Sequence, residues 1–320
     1  MSLHLRAAGY QGPNSILSAS LASLCEQMQQ HADGPVTLEW TPNVTSAGES
    51  AARLFASVEA GERQLCYMAS GYLSARISAL QVLDLPFSIT DRAHALSLLD
   101  GRAGELLRQA VERDSGYKVL GFWDNGFRHL SNSQRPLRHP DDVQGLRVRT
   151  LDSALYRDSL NAMGFHALTS DVKELVQWVQ TGHVQAQENP LTNYLGFELW
   201  QHHPHVSLSG HFWGVLLLLC PMRWYQGLPV GAQQQLDQAA WEATRLQRDL
   251  AAQEDAKAMT QLAQLGVHLV LPQAMDLPAF RDRVLPIRQR IGQAVQPSAV
   301  ALHAHAAGAT RFGQFRPRSE

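Results

Sequence analysis

The sequence is short of lysine, cysteine and net charge, and each shortage closes off a class of function. Lysine occurs only at Lys118, Lys173 and Lys257, so arginine carries the rest of the 27 basic residues, which 29 acids balance to a formal net charge of −2. No global field therefore draws the chain toward nucleic acid or an anionic membrane surface. The arginine bias alone reads as a composition effect. Cys25, Cys66 and Cys220 stand far apart in apolar or helical surroundings without C-x-x-C spacing, which excludes a cysteine zinc cage and reads as free buried thiols. The catalytic glycine signatures G-x-S-x-G, G-x-G-x-x-G and G-x-x-x-x-G-K are absent, so the common nucleophile elbow and phosphate loops have no place to form. The apolar run Trp213–Cys220 is too short for a bilayer, which needs about 20 such residues. The opening MSLHLRAAG lacks a basic start followed by an apolar core, so a periplasmic location requires a leader that was removed or lies outside this start.

What is present suffices for two ordinary domains. The chain has 320 residues, 45% of them hydrophobic, enough for sizeable cores. Strands are expected at His4–Ala8, Val36–Trp40 and Gln64–Met68, alternating with a helix from Pro13 that carries Leu17, Leu21, Leu24 and Met28 on one face and a shorter one from Glu49 to Ala60. This is an α/β rhythm. Asp171 with Glu174 makes a capping-box-like helix start, and Val215–Leu219 reads as a strand buried on both faces. Ala232–Leu265 contains neither glycine nor proline and predicts one long helix or two nearly continuous ones, roughly 50 Å in all.

The richest chemistry lies between Gly121 and Pro190. Val119–Trp123 predicts an apolar strand that turns at Asp124, Asn125 and Gly126, leaving Arg128 just past its end. Gly145–Thr150 predicts a second strand with Arg147 and Arg149 on one face, Arg149 nearest the carboxyl end. In open α/β sheets ligands collect at that end, beside the next helix start, here Asp152–Ser153. An arginine fork there can grip a carboxylate through two parallel charge-assisted hydrogen bonds. Gln187, Glu188 and Asn189 predict a buried polar turn before Pro190, in which Asn189 serves as a cap, a ligand contact or both. Together these residues suit the capture of a small anion.

GFRHLSNSQRPL, HPDDVQGLRVRT, ELVQWVQTGHVQAQENP and HVSLSGHFW, in this order and spacing, resemble the substrate-binding proteins of tripartite ATP-independent periplasmic (TRAP) transporters, the DctP-type family. The resemblance covers most of the chain and is weakest in the first forty residues and after about Pro297. It implies a two-lobed, class II-like periplasmic binding protein with a cleft between lobes and a long connecting helix. Lobe I is expected at 1–125 plus 214–250, lobe II at 126–213 plus 251–296, and a partly flexible tail at 297–320, with crossings near Asn125, near Trp213 and within the long helix. Arg149 matches the family's carboxylate-binding arginine, and Arg128 and Asn189 match positions lining the ligand cleft. Tyr72, Trp123 and Trp213 are candidate aromatic walls, with Ser70 beside Tyr72. The implied partners are a small carboxylate and the membrane permease subunits; the chain is expected in the periplasm, as a monomer, with no cofactor and no reaction of its own.

The departures narrow the ligand. Val184–Pro190 reads V-Q-A-Q-E-N-P where the family commonly has V-D-G-Q-E-N-P. Sialic-acid binders carry an acid and an arginine where Ala69 and Tyr72 stand here, which argues against that ligand and toward a smaller or less polar acid. Trp213–Gly214 replaces the metal-contacting acid of some 2-oxoacid binders. His202, His203, His205, His211, His303 and His305 offer no helical face on which a metal's ligands converge. Arg147 reads as a surface charge, Glu188 as a buried structural acid, and any of the three aromatics can equally be core. The alternatives are a periplasmic sensor that reports the same ligand to a receptor and an α/β enzyme acting on a carboxylic acid.

Overall fold

The computed structural model describes residues 3–31 and 34–294. The expected tail at 297–320, including His303 and His305, lies outside the described residues. Strands β1 (Leu3–Ala8) and β2 (Val36–Thr41) pair in parallel across helix α1 (Ile16–His31). Leu17, Leu21, Leu24 and Met28 of α1 are all buried, as their helical spacing requires. Helix α2 (Ala51–Glu59) starts at Ser50, whose hydroxyl accepts from the Arg53 amide, and leads to β3 (Cys66–Ala69). Helix α3 (Arg92–Asp100) turns into α4 (Arg102–Asp114) so tightly that a Cβ at Gly104 would lie 1.8 Å from the Leu99 carbonyl oxygen. The chain continues through β4 (Tyr117–Asn132), β5 (Arg147–Thr150), α5 (Ala154–Met163), β6 (His166–Thr169), α6 (Val172–Gln180), β7 (Ala186–Pro190), α7 (Leu191–Gly196), β8 (His205–Pro221), α8 (Met222–Gly227), α9 (Val230–Gln264), β9 (His268–Val270) and α10 (Leu277–Ala294).

The large sheet runs β3-β8-β4-β7-β5-β6, with β9 on β8. Its spine is the long antiparallel pair β4 and β8, in register from Tyr117↔Pro221 to Asn132↔His205. Two sequence expectations need correction here. The chain does not turn away at Asp124–Gly126: β4 continues through it with a register shift, the Asp124 carboxylate accepting from the Gly126 amide and Gly126 adopting φ 81°. A turn-forming triplet thus becomes a bulge, because β8 alongside offers ladder partners on both sides of it. Arg128 is therefore inside a strand rather than beyond one. Gln187–Asn189 likewise form no turn; they lie in β7, antiparallel to β4 and parallel to β5. All five β7 residues are buried, so their backbone groups need the partners that two flanking strands supply.

The apolar cores separate around the middle of this spine. One gathers Leu5, Leu21, Leu54, Trp123, Trp213, Leu216–Leu219 and Leu236. The other half of the sheet is covered on two sides, by Leu130, Val148, Leu160, Phe280 and Val284 and by Leu175, Val184, Tyr194, Val206 and Leu262. The 35-residue α9 runs past both halves, burying Leu236 in the first and Leu262 in the second. Helix α10 does the same in reverse, with Phe280 and Val284 in the second and Ile287 and Ile291 in the first. Two lobes joined by continuous strands and helices result, with the cleft where the spine crosses. Among the described residues no helix is long and apolar enough to cross a membrane.

Candidate functional site

The crossing is organised by Asp124, which is fully buried. Its Oδ1 accepts from the Gly126 amide at 2.8 Å and from Trp213 Nε1 at 3.1 Å. Its Oδ2 lies 2.9 Å from Arg92 Nε, a close ion pair not aligned as a hydrogen bond, and Arg92 also pairs with Asp255 of α9. Gln247, on the same helix and also buried, accepts from the Asp124 amide at 2.8 Å and donates to its carbonyl at 2.6 Å. A side-chain amide thus satisfies both backbone groups of Asp124 at a point in β4 that β7, paired only from Arg128 onward, does not reach.

Just beyond the crossing, β4 and β7 bring Arg128 and Glu188 together. Arg128 Nε pairs with Glu188 Oε2, and Nη2 donates to Glu188 Oε1 at 2.9 Å, to the Glu188 carbonyl at 2.8 Å and to Asn189 Oδ1 at 3.2 Å. Burial works against the Arg128 charge, but Glu188 more than offsets it and raises the pKa above the usual arginine value. Thr150 Oγ1 donates to Glu188 at 2.6 Å. His211 Nε2 lies 3.8 Å from the same carboxylate, while its Nδ1 shares a 2.7 Å hydrogen bond with Ser209. Burial, and then Arg128, push the His211 pKa well below the usual value, so the ring is neutral. Glu188 is thereby the buried acid that the sequence suggested, and the Arg128 charge is neutralised within the protein.

Arg149 differs. It is only 2% exposed, yet its guanidinium partners are neutral: Nε donates to Ser170 Oγ at 3.0 Å and Nη2 to the Ser170 carbonyl at 2.6 Å. Burial disfavours its charged form. It faces a small cavity of about 30 Å³ lined by Tyr10, Gln11, Tyr72, Asn125, Arg128, Asn189 and Asn193, with Ala69, Leu151 and Val172 as the apolar share. No acid is among the lining residues. Gln11, Asn125 and Asn193 also border a wider chamber of about 550 Å³, whose wall includes Asn14, Asn43, Thr192 and Gln261.

Of the residues singled out from sequence, Arg149, Arg128, Asn189 and Tyr72 meet at this cavity. Trp123, Trp213 and Ser70 do not line it. Trp123 packs in the first lobe's core beside Tyr67 and donates to Thr244 at 3.1 Å, and Trp213 is held by Asp124 behind the crossing. Strand alternation sends both indoles into the apolar core. Ser70 donates to Asp84 Oδ1 at 2.7 Å, which also receives the Tyr156 hydroxyl at 3.1 Å. Asp84 is fully buried, its Oδ2 has no partner, and burial pushes its pKa up to about 7 against the opposing hydrogen bonds of Ser70 and Tyr156. Sequence reasoning missed Asp84, Gln11 and Asn193. The lone acid in the apolar run LQVLDLPF was the available signal for the first; Gln11 and Asn193 sit in unremarkable polar segments.

The comparisons with known proteins agree with this architecture. Residues 7–294 match the family model DctP, bacterial extracellular solute-binding protein, family 7. A solute-binding protein of Verminephrobacter eiseniae is 31% identical over 214 residues, 67% of this chain and 64% of that protein. The 2,3-diketo-L-gulonate-binding periplasmic protein of Escherichia coli is 28% identical over 80% of this chain and 76% of its own length. A TRAP periplasmic solute-binding protein of a Polaromonas species, solved with D-erythronate, superposes with a TM-score of 0.87 at 25% identity, covering 97% of this chain and all of that one. With the motifs, the two-lobed fold and the family match in agreement, this chain belongs to the DctP family of bacterial extracellular solute-binding proteins, the binding components of TRAP transporters.

Proposed function

We propose that this protein captures a small hydroxylated carboxylic acid in the periplasm, as a monomer, and delivers it to the membrane subunits of a TRAP-type permease without chemical change. The observation that carries the reading is Arg149, a buried guanidinium with no ion-pair partner among the described residues, facing a cavity whose described lining holds no acid. Burying such an ion unpaired costs several kcal/mol, and a bound carboxylate offsets that cost with two charge-assisted hydrogen bonds. Arg128, already paired with Glu188, adds hydrogen-bond donors without needing the solute's charge. Asn189, Asn125, Asn193, Gln11 and Tyr72 supply the donors and acceptors that hydroxyl groups use.

A cavity of about 30 Å³ has room for roughly a carboxylate-sized group, so the rest of the solute extends past Gln11, Asn125 and Asn193 into the wider chamber. That amide-rich wall favours a polar body, in place of the less polar one that Ala69 and Tyr72 suggested. The D-erythronate in the Polaromonas protein and the sugar acid named for the E. coli relative support the same class.

Thermal unfolding of the wild type and Arg149→Ala against aliphatic, hydroxy, oxo, aromatic and sugar acids tests it. Saturation at a hundredfold excess over Kd stabilises by about 2.7 kcal/mol. Hydroxy or sugar acids are expected to shift the wild type and not the variant. A neutral amide or alcohol analogue that shifts both equally, or a panel in which no acid shifts the wild type, overturns the reading.

A further inference from the structure

Asp171 stands at the N-cap of α6, on the second lobe, where its Oδ1 accepts from the Lys173 amide at 3.1 Å. The same carboxylate reaches across to the first lobe. Oδ1 also accepts from the Ala51 amide at 3.3 Å, and Oδ2 accepts from the Ala52 amide at 3.4 Å. Ala51 and Ala52 are the first two residues of the nine-residue α2, and amides at those positions have no partner within their own helix. The helix's own cap, Ser50, serves Arg53 instead. One acid therefore completes two helix starts on opposite sides of the cleft, where two helix dipoles favour negative charge.

Its neighbour in sequence ties it to the binding cavity. Arg149 holds Ser170 by both the hydroxyl and the carbonyl, and the Ser170 hydroxyl donates in turn to the Asp171 carbonyl at 3.2 Å. Val172, next along, lines the cavity and packs on the first lobe's core. A displacement of the Arg149 guanidinium passes directly to the turn that carries Asp171.

We propose that Asp171 is the latch of lobe closure, a positioning residue whose carboxylate caps α2 when the lobes meet and which Arg149 holds in register through Ser170. Its coupling to solute rests on the carboxylate reading of Arg149. Closing the lobes gives the Ala51 and Ala52 amides the Asp171 carboxylate as their acceptor, and opening them exposes both amides and the acid. The latch thus favours the closed state without touching the solute, and it slows release rather than choosing the ligand.

The test is amide hydrogen exchange at Ala51 and Ala52 in the full chain, with and without D-erythronate as the probe, in the wild type, Asp171→Ser and Arg149→Ala. Serine remains a good helix cap for α6, but its single short oxygen cannot serve α2. The proposal expects Asp171→Ser to lose protection at Ala51 and Ala52 by about tenfold, with α6 amides unchanged, and to release the probe about tenfold faster at unchanged preference among acids. Unchanged exchange at Ala51 and Ala52 in Asp171→Ser overturns the latch, whether or not the probe binds. Loss of that protection in a protein that binds no acid supports the latch and removes the carboxylate reading. Binding that Arg149→Ala abolishes and Asp171→Ser leaves with the same release rate does the reverse.

Discussion

Two buried arginines, Arg149 and Arg128, should respond in opposite ways to the same substitution. Arg149→Met keeps a long flexible side chain but removes an ion whose protein contacts are two hydrogen bonds to Ser170. The lost charge-assisted hydrogen bonds cost about 1.5–3 kcal/mol each, and release from burying an unpaired guanidinium offsets them by several. The stability of the solute-free protein is therefore expected to change by less than about 1 kcal/mol or to rise, while acid binding weakens by about 2–5 kcal/mol, roughly 30-fold to several thousandfold. Arg128→Met instead leaves Glu188, fully buried, without its cation. Breaking such a pair from one side costs about 3–5 kcal/mol of folding stability. Urea unfolding of both variants without solute, with calorimetric titration of the acid that stabilises the wild type, measures each term. The reasoning is refuted if Arg149→Met lowers solute-free stability as much as Arg128→Met does while acid binding is retained.

Asp84 and Gln247 give two further tests. The folded pKa of Asp84, about 7, lies above its unfolded value of about 3.9. Its contribution to stability is therefore fully present below about pH 4, falls by up to about 1.4 kcal/mol per pH unit as pH rises, and is lost through pH 7. The stability difference between wild type and Asp84→Asn should drift against the wild type across that window and flatten above it; urea unfolding from pH 4 to 8 checks this, and a difference independent of pH refutes it. Gln247→Leu orphans the buried amide and carbonyl of Asp124 and should cost about 2–5 kcal/mol; a loss below about 0.5 kcal/mol in the same assay would show that the crossing does not depend on this clasp.

Legibility from sequence followed the physics of each segment. Helices whose apolar residues repeat at helical spacing, such as α1 with Leu17, Leu21, Leu24 and Met28, could be read directly, as could the uninterrupted α9. The alternating arginines Arg147 and Arg149 by themselves read equally well as surface charges, and it was the resemblance that marked Arg149, at the carboxyl end, which the structure places at the small cavity. The bulge at Asp124–Gly126 and the strand at Gln187–Asn189 were not, because both depend on partners distant in the chain: β8 supplies the ladder on either side of the bulge, and β5 with β4 encloses β7. Trp123 and Trp213 show the same limit. Their indoles have the chemistry of a binding wall, but the sheet register that turns both into the first lobe's core is set by pairs such as Trp123↔Leu216 and Phe127↔Trp213. The Asp171 reach to α2 joins residues 120 positions apart, beyond any local pattern.

The most direct test of the central claim is the crystal structure of the protein with its solute bound. A carboxylate whose two oxygens lie within about 3 Å of the Arg149 guanidinium, with the rest of the solute directed toward Gln11, Asn125 and Asn193, is the predicted result. A solute without an acid group, or one whose acid rests elsewhere while Arg149 contacts only Ser170, would contradict it.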